Sequence, residues 1–269
     1  MKSQAVRASP IPSAESMTWR PVDCHAHSQH SDGALTVTEV LERAAALGVR
    51  PSITDHISRD APTTVDSPRA VAEYLDDLEQ YDVLRGGEFC WHDALWREIP
   101  PETVRRFTHR VGSLHSIRLA DDSFFRVFHR DLPDGLTPRA YMEAHVSSLE
   151  SLAREMPVDI YAHPTLVSPS LREIDPHELW TEALEERLVT ALHDAGIAFE
   201  VSNRYRPHER LVRRAADAGV RLSLGSDGHS RQQVADIAFP LALVRSIGVR
   251  GEDLYDPMRH GSRTGAFDA

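Results

Sequence analysis

The chain has 269 residues, 41% of them hydrophobic, a formal net charge of −11 and only two cysteines. That length suits one large domain with a substantial core, or two small ones. An acidic balance with no block of Lys or Arg excludes the footprint of sequence-independent nucleic-acid binding; no apolar run approaches the ~20 residues of a membrane helix; and two cysteines make no disulfide framework, leaving a reducing cytoplasm as the default.

Residues 1–20 have no apolar h-region and read as a flexible N-terminal arm before a single domain over 21–269. The first strand lies in Val22–Gly33, VDCHAHSQHSDG. Val22, Cys24 and Ala26 alternate with Asp23, His25 and His27, so a strand sends the last three to one face. Two imidazoles two residues apart can hold one metal ion, with a carboxylate behind them to orient the rings. Ser31-Asp32-Gly33 then makes a turn that can bring another carboxylate back over the site.

Thr36–Leu47 reads as a helix, with Thr36 as N-cap, Glu39 three residues on and Gly48 as its stop. Arg50–His56 is a second strand, Asp66–Leu78 a helix, and Val83–Phe89 a third strand ending near Glu88. Arg110–Ser116 is a fourth strand, ending at His115. Ile117–Leu136, with Phe124, Phe125 and Phe128 among Asp and Arg, reads as a loop that folds over something. Thr137–Glu155 is a long helix, and Val158–Pro164 a fifth strand ending at His163. After a loop at Pro169–Asp175 comes a helix, Thr181–Ala195, stopped by Gly196. Ile197–Asn203 is a sixth strand, Pro207–Ala218 a helix, and Val220–Gly225 a seventh strand leading into Ser226-Asp227-Gly228-His229. A last helix runs over Gln232–Ile247, and the tail from Gly251 looks marginal.

Strands alternating with helices define an α/β fold with parallel strands. Six of the seven strands carry His, Asp or Glu at or just past their C-terminal ends. In α/β barrels those ends converge on one mouth, where catalytic groups sit. A convergent metal site is therefore expected. Cys24 and Cys90 read as small buried apolar residues, Glu88 being the better ligand candidate. His92, His109, His129, His145, His177, His193 and His260 have no partner motif and read as solvated, whereas His208 lies near the end of strand six, within reach of a pocket.

H-x-H…SDG at the start, TDH after strand two, Glu after strand three, GSLH after strand four, AHP after strand five and SDGH after strand seven together resemble the PHP (polymerase and histidinol phosphatase) family. The resemblance covers about Val22–Ile247 and is strongest to the histidinol-phosphatase branch. It implies a distorted (β/α)7 barrel with a trinuclear metal centre at the C-terminal strand ends, hydrolysing phosphate esters. Carried over position by position, it implies that His25, His27, Glu88 and Asp227 hold a first metal. Glu88 would bridge to a second, completed by His115 and His163. Asp32, His56 and His229 would hold the third, which makes them the catalytic set beside the leaving group. Some members use a histidine in the turn, here His30; Asp32 is favoured. The amidohydrolase type of barrel also begins with H-x-H but bridges its metals through a carboxylated lysine, and the one lysine here is Lys2 in the arm.

Imidazole and carboxylate ligands suit Zn, Mn or Fe. Metals a few Å apart lower the pKa of a shared water toward neutrality, giving a hydroxide nucleophile with no covalent role for a side chain. Phosphate positioning calls for arginine. Arg204 and Arg206 follow strand six in NRYRP, and the arginine that histidinol phosphatases carry just before a proline points to Arg206. Arg118, just past His115, is a third candidate. The expected function is hydrolysis of a small phosphomonoester, L-histidinol phosphate first. Nucleotides or other small phosphates are the alternative, and a non-catalytic metal-stabilised domain stands behind both. No nucleic-acid or membrane partner is expected.

Overall fold

A computed structural model of the chain describes residues 19–262. The arm over residues 1–20, including Lys2, falls almost wholly outside the described residues, as do residues 263–269.

Strand β1 (Val22–Asp23) is short and buried. Helix α1 (Val37–Leu47) begins where the side chains of Thr36 and Glu39 each bond the other's backbone N–H, and ends at Gly48. Strands β2 (Arg50–Ile53) and β3 (His56–Ile57) are one expected run, interrupted at Thr54-Asp55. After α2 (Pro68–Leu78), β4 (Leu84–Arg85) and β5 (Glu88–Cys90) are another, interrupted at Gly86-Gly87. A short helix, α3 (Pro101–Val104), leads to β6 (Val111–Ser113).

The segment expected as a loop over Ile117–Leu136 contains most of a hairpin instead. Strands β7 (Ser116–Arg118) and β8 (Phe124–Arg126) pair antiparallel with Ile117 opposite Phe125, and both of those side chains are buried. The short alternation was hidden by neighbouring charges. The pair is closed by a tight turn in which Leu119 N–H donates to Ser123 O at 2.8 Å.

Helix α4 (Pro138–Glu155) and strand β9 (Ile160–Tyr161) come next, then α5 (Pro176–Leu179), α6 (Glu182–Ala195) and β10 (Ala198–Ser202). The chain continues through α7 (Glu209–Asp217), β11 (Leu222–Gly225), α8 (Ala238–Ser246) and α9 (Pro257–His260). Helix α8 starts later than the expected Gln232. Ala235 takes a φ of +59° and donates its N–H to Asp23 at 3.1 Å, which keeps the preceding residues in turns. The tail is packed as far as it is described: Leu254 is buried and Tyr255 N–H donates to Leu222 O at 2.8 Å.

The result is a mixed α/β fold with mostly parallel sheets. One sheet has the order β1-β2-β4 and the other β11-β10-β9-β6-β5-β3, every pair parallel. Cys24 N–H donates to Leu224 O at 2.8 Å, and a parallel bridge joins Ala26 to Gly228, tying the β1 segment to β11. Cys24 packs with Val22, Leu84, Val111 and Ile160 in a small apolar cluster between the strands. Among the described residues, no helix is long and apolar enough to cross a membrane.

Candidate metal centre

The parallel register brings the carboxyl ends of the strand runs together. His25 and His27 follow β1, His115 follows β6, His163 follows β9, and Asp227 and His229 follow β11. The two interruptions serve the same end, because they restart the chain at His56 and Glu88, which are register partners.

Glu88 lies at the middle. Its Oε2 is 2.8 Å from His56 Nδ1, 3.5 Å from His25 Nε2 and 3.6 Å from His27 Nε2. Its Oε1 is 3.0 Å from His163 Nε2 and 3.2 Å from His115 Nε2. Asp32 Oδ1 is 3.2 Å from His229 Nε2 and 3.5 Å from His56 Nε2. Asp227 Oδ1 sits between His229 Nδ1, at 3.4 Å, and His27 Nε2, at 3.5 Å. All nine positions named from the sequence are thus brought together. Among the described residues, three sets have ligand atoms mutually within 4.8 Å: His27-Asp32-His56-His229, His25-His27-Glu88 and His56-Glu88-His115. His30 is elsewhere, with Nε2 2.9 Å from Asp77 Oδ2.

Buried polar partners fix this arrangement. Glu200, in β10, lies 2.7 Å from His25 Nδ1 and accepts the His163 N–H at 2.5 Å. A Cβ at Gly225 would collide with the Glu200 carboxylate, so only glycine leaves it room. Asp55 accepts the N–H and O–H of Ser28, both at 2.7 Å, and Ser31 O–H at 2.5 Å, which ties down the turn bearing Asp32. Asp23 does not stand behind the rings. It accepts Ser226 N–H at 2.8 Å and O–H at 2.6 Å, so it holds the loop that carries Asp227. His163 and Asp227 have φ of +32° and +49°, strained values for non-glycine residues that these contacts sustain.

The electrostatics suit a cation. Burial pushes His27 and His115 down to about 4, so both are neutral near pH 7, as a metal ligand must be. Burial would raise Asp32, but hydrogen bonding to His229 and the charges of His56 and His229 outweigh it, bringing it to about 2. Glu88 is likewise buried, yet His56, His115 and His25 hold it well below the ordinary range. Burial would lower His25, but the charges of Glu200 and Glu88 outweigh it and raise it well above its ordinary value; its Nδ1 is 2.7 Å from Glu200 and its Nε2 3.1 Å from His27 Nε2. His27 Nδ1 faces Ser31 Oγ at 3.3 Å, and that hydroxyl is itself spent on Asp55, so the neutral His27 ring donates from Nδ1 and keeps its Nε2 lone pair. His56 Nδ1 is buried with no hydrogen-bond partner, although Glu88 is close. The donor set fits divalent ions.

A cavity of about 160 Å³ opens onto this cluster, walled also by Asp60, Ala61, Pro62, Cys90, His92, Arg126, Phe128, Arg204 and Tyr205. Of the three arginines named from the sequence, only Arg204 reaches it, with Nη1 2.6 Å from His229 Nδ1. Arg206 turns away, its guanidinium 5.2 Å from the centre of the Phe239 ring, and its φ of +28° goes with that direction. Arg118 lies over Trp91 at 5.8 Å and near Asp122. Arg126 reaches the cavity because the hairpin delivers it. Cys90 is more than apolar filling, since its Sγ is 2.9 Å from His115 Nδ1. His92 lines the cavity, while His109 and His145 are buried in the interior rather than solvated. His208 pairs with Glu185 at 2.7 Å, outside the cavity.

Sequence reasoning missed Glu200, Arg126, His92 and the Cys90 contact. Glu200 had a readable signal: a lone acid inside the apolar run IAFEVSN. Cys90 shares a strand face with Glu88, two residues away.

No family model and no curated protein matches the chain. Solved structures match its fold. A histidinol phosphate phosphatase from Lactococcus lactis subsp. lactis, solved with zinc, L-histidinol and phosphate, has a TM-score of 0.69 at 16% identity, covering 86% of this chain and 95% of that one. A Listeria monocytogenes protein assigned as a histidinol phosphatase has a TM-score of 0.63 at 15% identity, covering 80% and 97%. The chain therefore shares the α/β fold of these proteins.

Proposed function

We propose that the chain is a metal-dependent phosphomonoesterase of the PHP type, built as a distorted (β/α)7 barrel with a trinuclear centre. The observation that carries this reading is the position of Glu88, whose two oxygens face separate imidazole sets while Asp32, His56 and His229 gather beside them. His25, His27, Glu88 and Asp227 would hold one ion, Glu88, His115 and His163 a second, and Asp32, His56 and His229 a third. Bound there, Zn, Mn or Fe would supply an activated water and neutralise the phosphoryl oxygens.

The chain's own groups do the rest. Arg204 and Arg126 bring positive charge to the cavity wall, where phosphate oxygens would be held. Phe128, 5.3 Å from the His115 ring between centroids, gives an apolar wall for the alcohol part of the ester. No side chain serves as a covalent nucleophile. The one thiol at the cavity, Cys90, is raised above its ordinary range by burial and by the Glu88 charge. L-histidinol phosphate is the first substrate to try, supported by the zinc, L-histidinol and phosphate of the Lactococcus lactis structure. Two free, buried cysteines agree with a reducing cytoplasm.

The test is release of inorganic phosphate by manganese- or zinc-loaded protein from L-histidinol phosphate, nucleoside monophosphates and an aryl phosphate. A preference for L-histidinol phosphate of about a hundredfold in kcat/KM, worth about 2.7 kcal/mol, supports both reaction and substrate. Preference for another ester keeps the reaction and replaces the substrate. Release from none of them overturns the reading.

A further inference from the structure

The cavity wall carries one acidic side chain outside the candidate metal ligands. Asp60 lines the cavity with its side chain half exposed, and its one side-chain partner among the described residues is His92, whose Nε2 is 2.8 Å from Asp60 Oδ2. The His92 side chain is itself 7% exposed, and its Nδ1 is buried without a hydrogen-bond partner. The carboxylate can only accept, so the His92 Nε2–H donates to it.

The loop bearing Asp60 is built to hold it there. Ser58 donates its O–H to Asp93, and the N–H groups of Asp60 and Ala61 donate to Ser58 Oγ at 3.0 and 3.2 Å. Arg59 N–H bonds Asp93 at 2.9 Å, and its guanidinium forks onto both Glu98 oxygens at 2.7 Å. From the hairpin, Arg126 Nη2 donates to Asp60 O at 3.1 Å. A carboxylate on a pinned loop, facing the space where a phosphate ester would sit, repels an anionic substrate arm and attracts a cationic one. Among the described residues, His92 is the one basic side chain paired with the carboxylate, and the half-exposed side chain keeps a face open to the cavity.

We propose that Asp60 is a specificity-determining residue that binds a protonated amine carried by the alcohol part of the ester. This rests on the phosphomonoesterase reading above. The amine would donate to Asp60 while the phosphate lies against the histidine cluster and Arg204. His92 positions the carboxylate and makes no contact with the reacting atoms.

The experiment compares metal-loaded wild type and Asp60→Asn on 2-aminoethyl phosphate, L-histidinol phosphate and 2-hydroxyethyl phosphate. A charged hydrogen bond is worth about tenfold or more. Wild type should favour each amino ester over the hydroxyethyl ester by about that factor. Asp60→Asn should lose it through KM, with kcat held and the hydroxyethyl ester unchanged. Inhibition by free L-histidinol should weaken in parallel, a binding readout independent of turnover. Equal losses on all three esters, a fall in kcat alone, or no change would each overturn the assignment. Wild-type protein that hydrolyses no ester yet binds L-histidinol through Asp60 would keep the amine site and remove the phosphatase reading. Failure of both hydrolysis and binding removes the two together.

Discussion

Glu200 Oε1 lies 2.7 Å from His25 Nδ1, and the other oxygen of the same carboxylate accepts the backbone N–H of His163. One side chain in the sixth strand run thereby holds both the ring of a histidine on the first and the strained backbone of a histidine on the fifth. Glu200→Gln keeps the size and removes the charge that favours Nδ1–H. Metal affinity should fall about 10–100-fold with far-UV circular dichroism unchanged. Competition against a chromophoric chelator measures it, and an affinity equal to wild type would show that Glu200 plays no part in holding the ring.

Arg204 and Arg206 are two residues apart and their side chains part ways, one to the His229 ring and the other to Phe239. Arg204→Ala should raise KM for phosphate esters about tenfold, an ordinary cost for a charged hydrogen bond. Arg206→Ala should leave KM near wild type. Steady-state kinetics on one ester decides between them, and the reverse pattern would return phosphate binding to Arg206, the position that the sequence resemblance favours.

What the sequence could and could not say divides along physical lines. Helix ends were legible where local chemistry sets them, as at Thr36, Glu39 and Gly48, because a capping box needs no tertiary context. The nine clustered positions were named by carrying the family resemblance over position by position; alternation alone set His25 and His27 on one face, and chain order alone marked acidic and histidine residues at six strand ends. Directions were not legible. Arg206 points away through a positive φ that no neighbour announces, and Arg126 arrives through a hairpin whose alternation is only three residues long on each side. Asp23 obeys strand alternation poorly because β1 ends at that residue, freeing its carboxylate for Ser226. The Asp60 loop depends on Asp93 and Glu98, more than thirty residues away, a pairing beyond any local pattern.

His115→Ala removes an imidazole 3.2 Å from Glu88 and leaves the Cys90 thiol without its ring partner. Turnover in metal-replete protein should nearly vanish while the fold persists, because His115 contributes to the cavity rather than to the main apolar core. Metal content by plasma emission should drop by one ion per chain. Wild-type rates in this variant would show that His115 is not part of a working site.

Metal removal should act on stability as well. The cluster buries the carboxylates of Glu88 and Asp227 and sets the exposed Asp32 beside them, among histidines of which His27 and His115 are neutral near pH 7, so a bound cation offsets carboxylate charge there. An ion present at about a thousand times its Kd adds about 4 kcal/mol, or about 10 °C in Tm for a chain of this size. Calorimetry with and without chelator reads it directly. An unchanged Tm would mean that no ion binds the native cluster.

His145 provides a pH dependence separate from the candidate site. Burial, with a smaller contribution from the His163 charge, lowers it from 6.5 to about 4, and its Nδ1 has no hydrogen-bond partner. The folded chain therefore binds this proton more weakly than the unfolded chain. Its stability contribution is complete above the unfolded value of 6.5 and is lost as pH falls toward 4. A shift of that size amounts to about 3 kcal/mol, most of it gone by about pH 4.5. His145→Leu keeps the volume close to native beside Trp180 and Tyr161 and removes the titration. Urea unfolding at about pH 7.5 and about pH 4.5 should show a smaller acid-induced loss in the variant, by about 2–3 kcal/mol. His27 and His115 titrate alike in both proteins, so the difference isolates His145. Parallel losses in variant and wild type would mean that His145 takes up its proton in the folded state as readily as in the unfolded one.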